Sequence, residues 1–383
     1  MPLSGAFFLP RTHPRDGFYA FFAKILYKIL DKFVTSVILA SGFDNERRKT
    51  MSLYDEFMKN SMIRRFHCGV QNEAHKPLAK AFTADKKNYD QSPERMERLK
   101  KMLMKSQIGR ETLDFLKEKG SDLVFEDMRY YGYFAPDKNL VALSPRFSDE
   151  DLAITFIHEV RHARQDSVMS NTTPDMTPQT MLKNGFLIEA DACAAECVFA
   201  HQMMDKGDNS IFEAHQKTAY APMSTAFEKE FEKSKDWNKA RDAAFMQWFN
   251  LPVKPSYATQ YIDFMKEISK DGSNEWFQHD MDIKKMAQKL CLDSDGNCYI
   301  ANPKMIEAPE RLNVDEKQAK AMHQALKPFM KKNNRSAEKM GLDRIYVSHA
   351  DGSYTTVRDE IKKANAKQNA AIRNAAAKGR NGR

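Results

Sequence analysis

The stretch FIHEVRHARQD, residues 156–166, most constrains how this chain can fold, because it sits inside a longer run, RFSDEDLAITFIHEVRHARQDS, with the features of one helix. Ser148 with Asp151 three residues on resembles a capping box, acidic residues crowd the first turn, and Ile154, Phe156, Ile157 and Val160 supply an apolar face. The pattern predicts a helix over residues 149–166. Residues four apart on a helix are rotated by roughly 400°, so His158 and His162 project from one face a turn apart. Glu159 lies about 100° round from His158. Whatever else the chain does, it must fold around a helix that presents two imidazoles side by side.

Two such imidazoles can share one metal ion, and Glu159 is placed to approach the open side of that ion without binding it. A carboxylate there can take a proton from a water acidified by zinc and pass it to a leaving group. Catalytic zinc usually has three protein ligands. The third is expected from the next helix, signalled by Thr177 and Pro178 after the polar loop MSNTTPDMT and carrying FLIEADACAAECVFAHQMM. On it Glu189, Cys193 and Glu196 recur at i, i+4 and i+7 and share a face. Glu189 is the leading ligand and Glu196 the rival; Cys193 could bind zinc but reads better as packing. Asp191 and Asp166 are nominees for orienting the imidazoles, and Arg161 is a partner for Glu189, Asp191 or a substrate carboxylate. Tyr220, Tyr257, Tyr261 and His215 are candidates for stabilising an oxyanion.

The flanking sequence frames this pair of helices. Before it, LVFED and MRYYGYFAPDKNLVALS are dense in β-prone residues and predict two or three short strands, including a hairpin across Asp137 and Lys138. The chain divides into an amphipathic N-terminal helix region over 1–45, a helical region over 46–120, a core over 121–206, a helical part over 207–342, and a hairpin at Asp351-Gly352 with a basic tail over 343–383. The N-terminal apolar stretch is interrupted by Lys24, Lys28, Asp31 and Lys32, too often for a bilayer span of about 20 apolar residues. It is expected to pack on the protein, with an interfacial membrane helix as the alternative. No repeat, Gly-rich phosphate loop or Cys/His finger spacing is present.

At 42% hydrophobic and 29% charged residues, with few Gly and Pro, the chain reads as a mostly helical globular protein. The net charge of +8 resides almost wholly in residues 361–383, which hold seven Lys or Arg and no acid. This tail reads as a solvated helix; contact with nucleic acid or an anionic membrane is the alternative. Five cysteines argue against a disulfide scaffold, and with no signal peptide recognised a cytoplasmic location is expected. Cys291 and Cys298, around LDSDGN, read as free thiols flanking a turn rather than a calcium loop.

HEVRH followed by LIEADACAAE resembles the zincin metallopeptidases of the gluzincin type, and the second piece is similar to a run in compact bacterial peptidases that cleave repressors. Together with HEVRHARQ it suggests an uncharacterised bacterial family of metallopeptidases. The resemblance covers residues 123–200. It implies an α+β, predominantly helical fold with a zincin-like core, in which a small sheet packs on the HExxH helix and a Glu-bearing helix. It also implies Zn2+ on His158, His162 and Glu189, Glu159 as general base, a protein or peptide substrate, and Leu140 to Leu143 as the sheet edge along which that peptide pairs. The competing expectations are a zinc-stabilised helical protein without turnover, and an interaction protein acting through its two ends.

Overall fold

A computed structural model describes residues 89–169 and 173–380. The N-terminal helix expected within residues 1–45, and the part of the 46–120 region that precedes residue 89, lie outside the described residues. Among the described residues the chain is mostly helical, with eleven helices and two small mixed sheets.

Two helices, α1 (Pro93–Leu103) and α2 (Gln107–Lys119), lead into strands β1 (Asp122–Phe125), β2 (Gly132–Ala135) and β3 (Leu140–Leu143). The expected hairpin is present: β2 and β3 pair antiparallel, with Phe134 opposite Val141, around a turn in which Asn139 takes φ 48°. The strand order is β1-β3-β2, however, with β1 parallel to β3. Leu140 to Leu143 is therefore the central strand and not the sheet edge. The reason lies in burial. Val141, Ala142 and Leu143 are wholly enclosed, whereas β1 alternates exposed and half-buried residues as an outer strand does.

Helix α3 (Asp149–Val168) follows and runs two residues beyond the predicted end. Its start is fixed by Ser148, whose Oγ accepts from Asp151 N at 3.1 Å, with three acids in the first turn to meet the helix dipole. Arg95 of α1 anchors that entry by donating to Asp149 Oδ1 and to the carbonyls of Pro145 and Phe147. Helix α4 (Pro178–Met204) begins as the sequence predicts, with Thr177 Oγ1 accepting from Thr180 N and Pro178 in the first turn.

Nearly every residue of α4 is buried, so it is the central helix, enclosed by its neighbours on all sides. The run Ala190 to Ala195 keeps its girth small enough for α3 to pack beside it. Gly185 allows a close approach by Tyr261: a Cβ there would lie about 2 Å from the Tyr261 ring. Around α4 pack α5 (Ser210–Gln216), α6 (Ala221–Ser234), α7 (Trp237–Trp248), α8 (Lys254–Asp271) and α9 (Ile283–Leu290). One apolar core extends from Met176 through Trp248 and Tyr261 to Ile361. A second lies between α1, α2, α3 and the first sheet.

The predicted C-terminal hairpin is formed by β5 (Tyr346–Ser348) and β6 (Tyr354–Thr356), with Gly352 at φ 82° in the turn. A strand not expected from the sequence, β4 (Asn313–Asp315), joins it in parallel, and α10 (Glu316–Lys332) follows β4. The basic tail is helical, α11 (Val357–Arg380), and every residue over 362–374 is exposed. Cys291 and Cys298 are free thiols, and Asp293 Oδ1 accepts from the amides of Asp295 and Asn297, which makes LDSDGN a turn. Among the described residues no helix is long and apolar enough to cross a membrane.

Candidate metal centre between α3 and α4

His158 and His162 meet as their spacing predicts. Their Nε2 atoms stand 2.9 Å apart, with the rings nearly perpendicular at 83°. Glu189 reaches them from α4: Oε2 lies 3.7 Å from His158 Nε2, and Oε1 lies 3.7 Å from His162 Nε2. All three residues are buried, at 3%, 0% and 2% exposure.

The hydrogen bonds around the rings establish what those Nε2 atoms can do. Gln165 Nε2 donates to Asp191 Oδ2 at 2.7 Å and to the Ile188 carbonyl at 2.9 Å, so its Oε1 is the atom facing His162 Nδ1 at 2.8 Å. An amide oxygen can only accept, and His162 must therefore carry its proton on Nδ1. His158 Nδ1 faces Glu196 Oε1 at 2.5 Å. A carboxylate also only accepts, so His158 too is protonated on Nδ1. Both neutral imidazoles thus present Nε2 lone pairs to one point, opposite a third carboxylate.

Such a group suits a cation. Two nitrogens bound tetrahedrally to zinc at about 2.0–2.1 Å stand about 3.3 Å apart, and the separations of 2.9 and 3.7 Å bracket that value. The donor set of two imidazoles and a carboxylate matches the borderline character of zinc. Burial opposes a charge on His158, yet Cys193, Glu189 and Glu196 together hold its pKa well above the usual value.

The structure separates the two rivals from this point. His158, Cys193 and Glu196 also form a tight group, but at the other ring nitrogen. The 2.5 Å contact to Glu196 is a charge-assisted hydrogen bond, shorter than ligands of a common ion stand from each other, and Cys193 Sγ is 4.0 Å from Nδ1. Burial pushes the Cys193 thiol far up, keeping it protonated.

Glu159 is fully buried on the sheet side of α3, where its Oε2 accepts from the backbone N–H of Phe134 at 3.0 Å. Asp191 does not touch an imidazole; it acts on His162 through Gln165. Asp166, the other nominee, is half-buried beside Gln165, which takes the place at His162. Arg161 pairs with Asp191 in a two-pronged contact of 2.6 and 2.9 Å. Arg241 at 3.1 Å and Tyr299 at 2.7 Å complete that cluster. Burial would raise the Asp191 pKa, but the two guanidiniums hold it below the ordinary carboxylate value.

Of the oxyanion candidates, Tyr220 and Tyr257 bring their phenols within 3.4 Å of each other. Burial holds both pKa values well above normal; the Glu189 charge adds to this at Tyr257, and that of Glu196 at Tyr220. Tyr261 instead lies against Gly185, and His215 is engaged by Glu196 and Ser224. A groove of about 460 Å³ lined by Gln107, Gln202, Trp237, Arg241 and Asp295 opens elsewhere and is not lined by the three clustered residues.

The sequence reading missed Gln165, Arg241, Tyr299 and Ser224. Only Gln165 left a signal, at i+3 from His162 on the same helix face.

A family model described as "Putative metallopeptidase family (DUF6782)" matches residues 72–300, well over half of the chain. The chain belongs to that family. The match spans the first sheet, the helices that carry His158, His162 and Glu189, and the Arg241–Tyr299 cluster, and it implies a metal cofactor. No curated protein and no solved structure matches the chain.

Proposed function

We propose that this metallopeptidase-family chain hydrolyses peptide bonds with zinc held by His158, His162 and Glu189, in the manner of a gluzincin, within a zincin-like core. The observation that carries the reading is the pair of Nε2 atoms 2.9 Å apart, each the lone-pair nitrogen of the neutral ring because Nδ1 faces an acceptor, and each 3.7 Å from Glu189. When bound, zinc supplies Lewis acidity, lowering the pKa of a water toward about 7 and polarising a carbonyl.

The remaining steps belong to the chain's own groups. Glu159, dry and held at one oxygen by Phe134 N–H, accepts the proton of the attacking water and returns it to the leaving amine. Tyr220 and Tyr257 stay protonated at neutral pH and can donate to the oxyanion. The near-total burial of the cluster also suits a structural ion that ties α3 to α4, and turnover separates these two readings.

The test is metal content and proteolysis of wild type beside Glu159→Gln and His162→Ala. Wild type should hold about one zinc per chain. Glu159→Gln should keep the metal and lose about 10²–10⁴-fold in kcat, and His162→Ala should lose both metal and activity. A wild type that takes up no zinc would end the proposal, and a fully active Glu159→Gln would remove its mechanism.

A further inference from the structure

We infer that Glu196, His215 and Ser224 form a buried positioning relay that holds His158 in its metal-binding tautomer and orientation, an inference that rests on the reading of His158 as a ligand. Four helices contribute in turn. His158 of α3 meets Glu196 of α4 at 2.5 Å; the other Glu196 oxygen meets His215 Nε2 of α5 at 3.2 Å; His215 Nδ1 meets Ser224 Oγ of α6 at 2.9 Å. Ser224 Oγ in turn lies 3.7 Å from Cys197 Sγ. His215 and Ser224 are wholly buried and Glu196 is 5% exposed.

The hydrogen bonding assigns the two protons that face Glu196. Glu196 offers two acceptor oxygens and faces a ring nitrogen at each, so both histidines donate to it, His158 from Nδ1 and His215 from Nε2. That leaves His158 Nε2 with its lone pair toward His162 and Glu189.

Holding α5 and α6 in place does not require such a chain. Met223 and Phe227 of α6 already pack in the apolar core, and a buried carboxylate is costly unless each oxygen is satisfied. A histidine one turn beyond Cys197 on α4 is held differently, with a backbone contact from Ser224 at its ring. His201 stacks on Phe227 with ring centres 4.4 Å apart, and its Nε2 has no hydrogen-bond partner. His215, in contrast, is bonded at both nitrogens, and its chain leads to a ligand.

The two ligand histidines are thus supported by different chemistry. His162 is held by the neutral Gln165 amide and His158 by an anion, which makes the His158 imidazole the more basic donor. Outer partners of this kind are worth about 10–100-fold in metal affinity.

The experiment is zinc affinity and stoichiometry of the full chain by competition with a chromophoric chelator, with folding followed by circular dichroism. Glu196→Gln should weaken zinc binding about 10–100-fold with stoichiometry unchanged. His215→Gln should weaken it less, and the double variant should be no worse than Glu196→Gln alone, because His215 acts only through Glu196. Ser224→Ala, the mildest change, should cost a few-fold and keeps the test open if Glu196→Gln does not fold. Wild-type affinity in folded Glu196→Gln and Ser224→Ala, or a fall in stoichiometry in Glu196→Gln, would overturn the relay while leaving the zinc reading in place. Absence of zinc binding by wild type would overturn both.

Discussion

Glu189 and Asp191 are two residues apart on α4, both buried to 2% exposure or less, and they meet opposite fates. Asp191 is matched by full positive charges from Arg161 and Arg241 and by donors from Gln165 and Tyr299. Glu189 faces two imidazoles whose Nε2 atoms, when neutral, bring lone pairs and no charge. A buried carboxylate is expensive without compensation, so the first arrangement carries fixed counter-charges, whereas the second is one in which a cation could supply them. On one helix, then, identical chemistry marks a structural clamp or a binding centre according to what the neighbouring helices supply.

The contrast is sharpest in what removal of each carboxylate should do. Glu189→Ala is expected to abolish zinc binding and lower turnover by about 10³-fold or more, while the metal-free protein stays within about 1 kcal/mol of metal-free wild type in urea unfolding. Asp191→Ala should do the reverse, costing about 3–5 kcal/mol of stability because two buried guanidiniums lose their counter-charge. If both variants proved equally destabilised and both kept zinc, the distinction between clamp and centre would collapse.

A third carboxylate gives a smaller effect of opposite sign. Asp242 on α7 has one oxygen without a hydrogen-bond partner and accepts only from Ala301 N at the other; burial pushes its pKa up to about 6. An acid with a folded pKa above its unfolded value destabilises once ionised, so its stability contribution falls as pH rises from about 3.8 to about 6. Asp242→Asn should therefore raise stability at pH 7 by about 1 kcal/mol, allowing for partial solvent screening, and by nothing near pH 4. A pH-independent gain would show that charge is not the cause.

Much of α3 and the start of α4 was legible in advance because the signals are local. Ser148, Thr177 and Pro178 mark helix starts by short-range bonding, and the spacing of His158 and His162 alone places them on one face. Glu189 and Glu196 could be nominated together but not told apart, since both lie on the same face of α4 and the choice depends on how α5 docks. His215 illustrates the limit. Its residue type suggested oxyanion chemistry, whereas its partners, Glu196 and Ser224, come from two other helices. The position of β3 was misread for a related reason: the hairpin with β2 is local, but the parallel partner β1 arrives from before the hairpin and pushes β3 into the middle. Arg241 and Tyr299 join Asp191 from 50 and 108 residues away, beyond any periodic pattern.

The bond from Phe134 N–H to Glu159 has a consequence for how this chain can vary. Along β2 the amides alternate direction, so a shift of one residue would turn the amide at this position inward to β3 and take this donor from the carboxylate. Insertions or deletions in the connection over residues 126–131 are thereby confined to lengths that leave the strand in phase with α3. The loop may drift in sequence, but its alignment is policed by the very side chain that would move the proton.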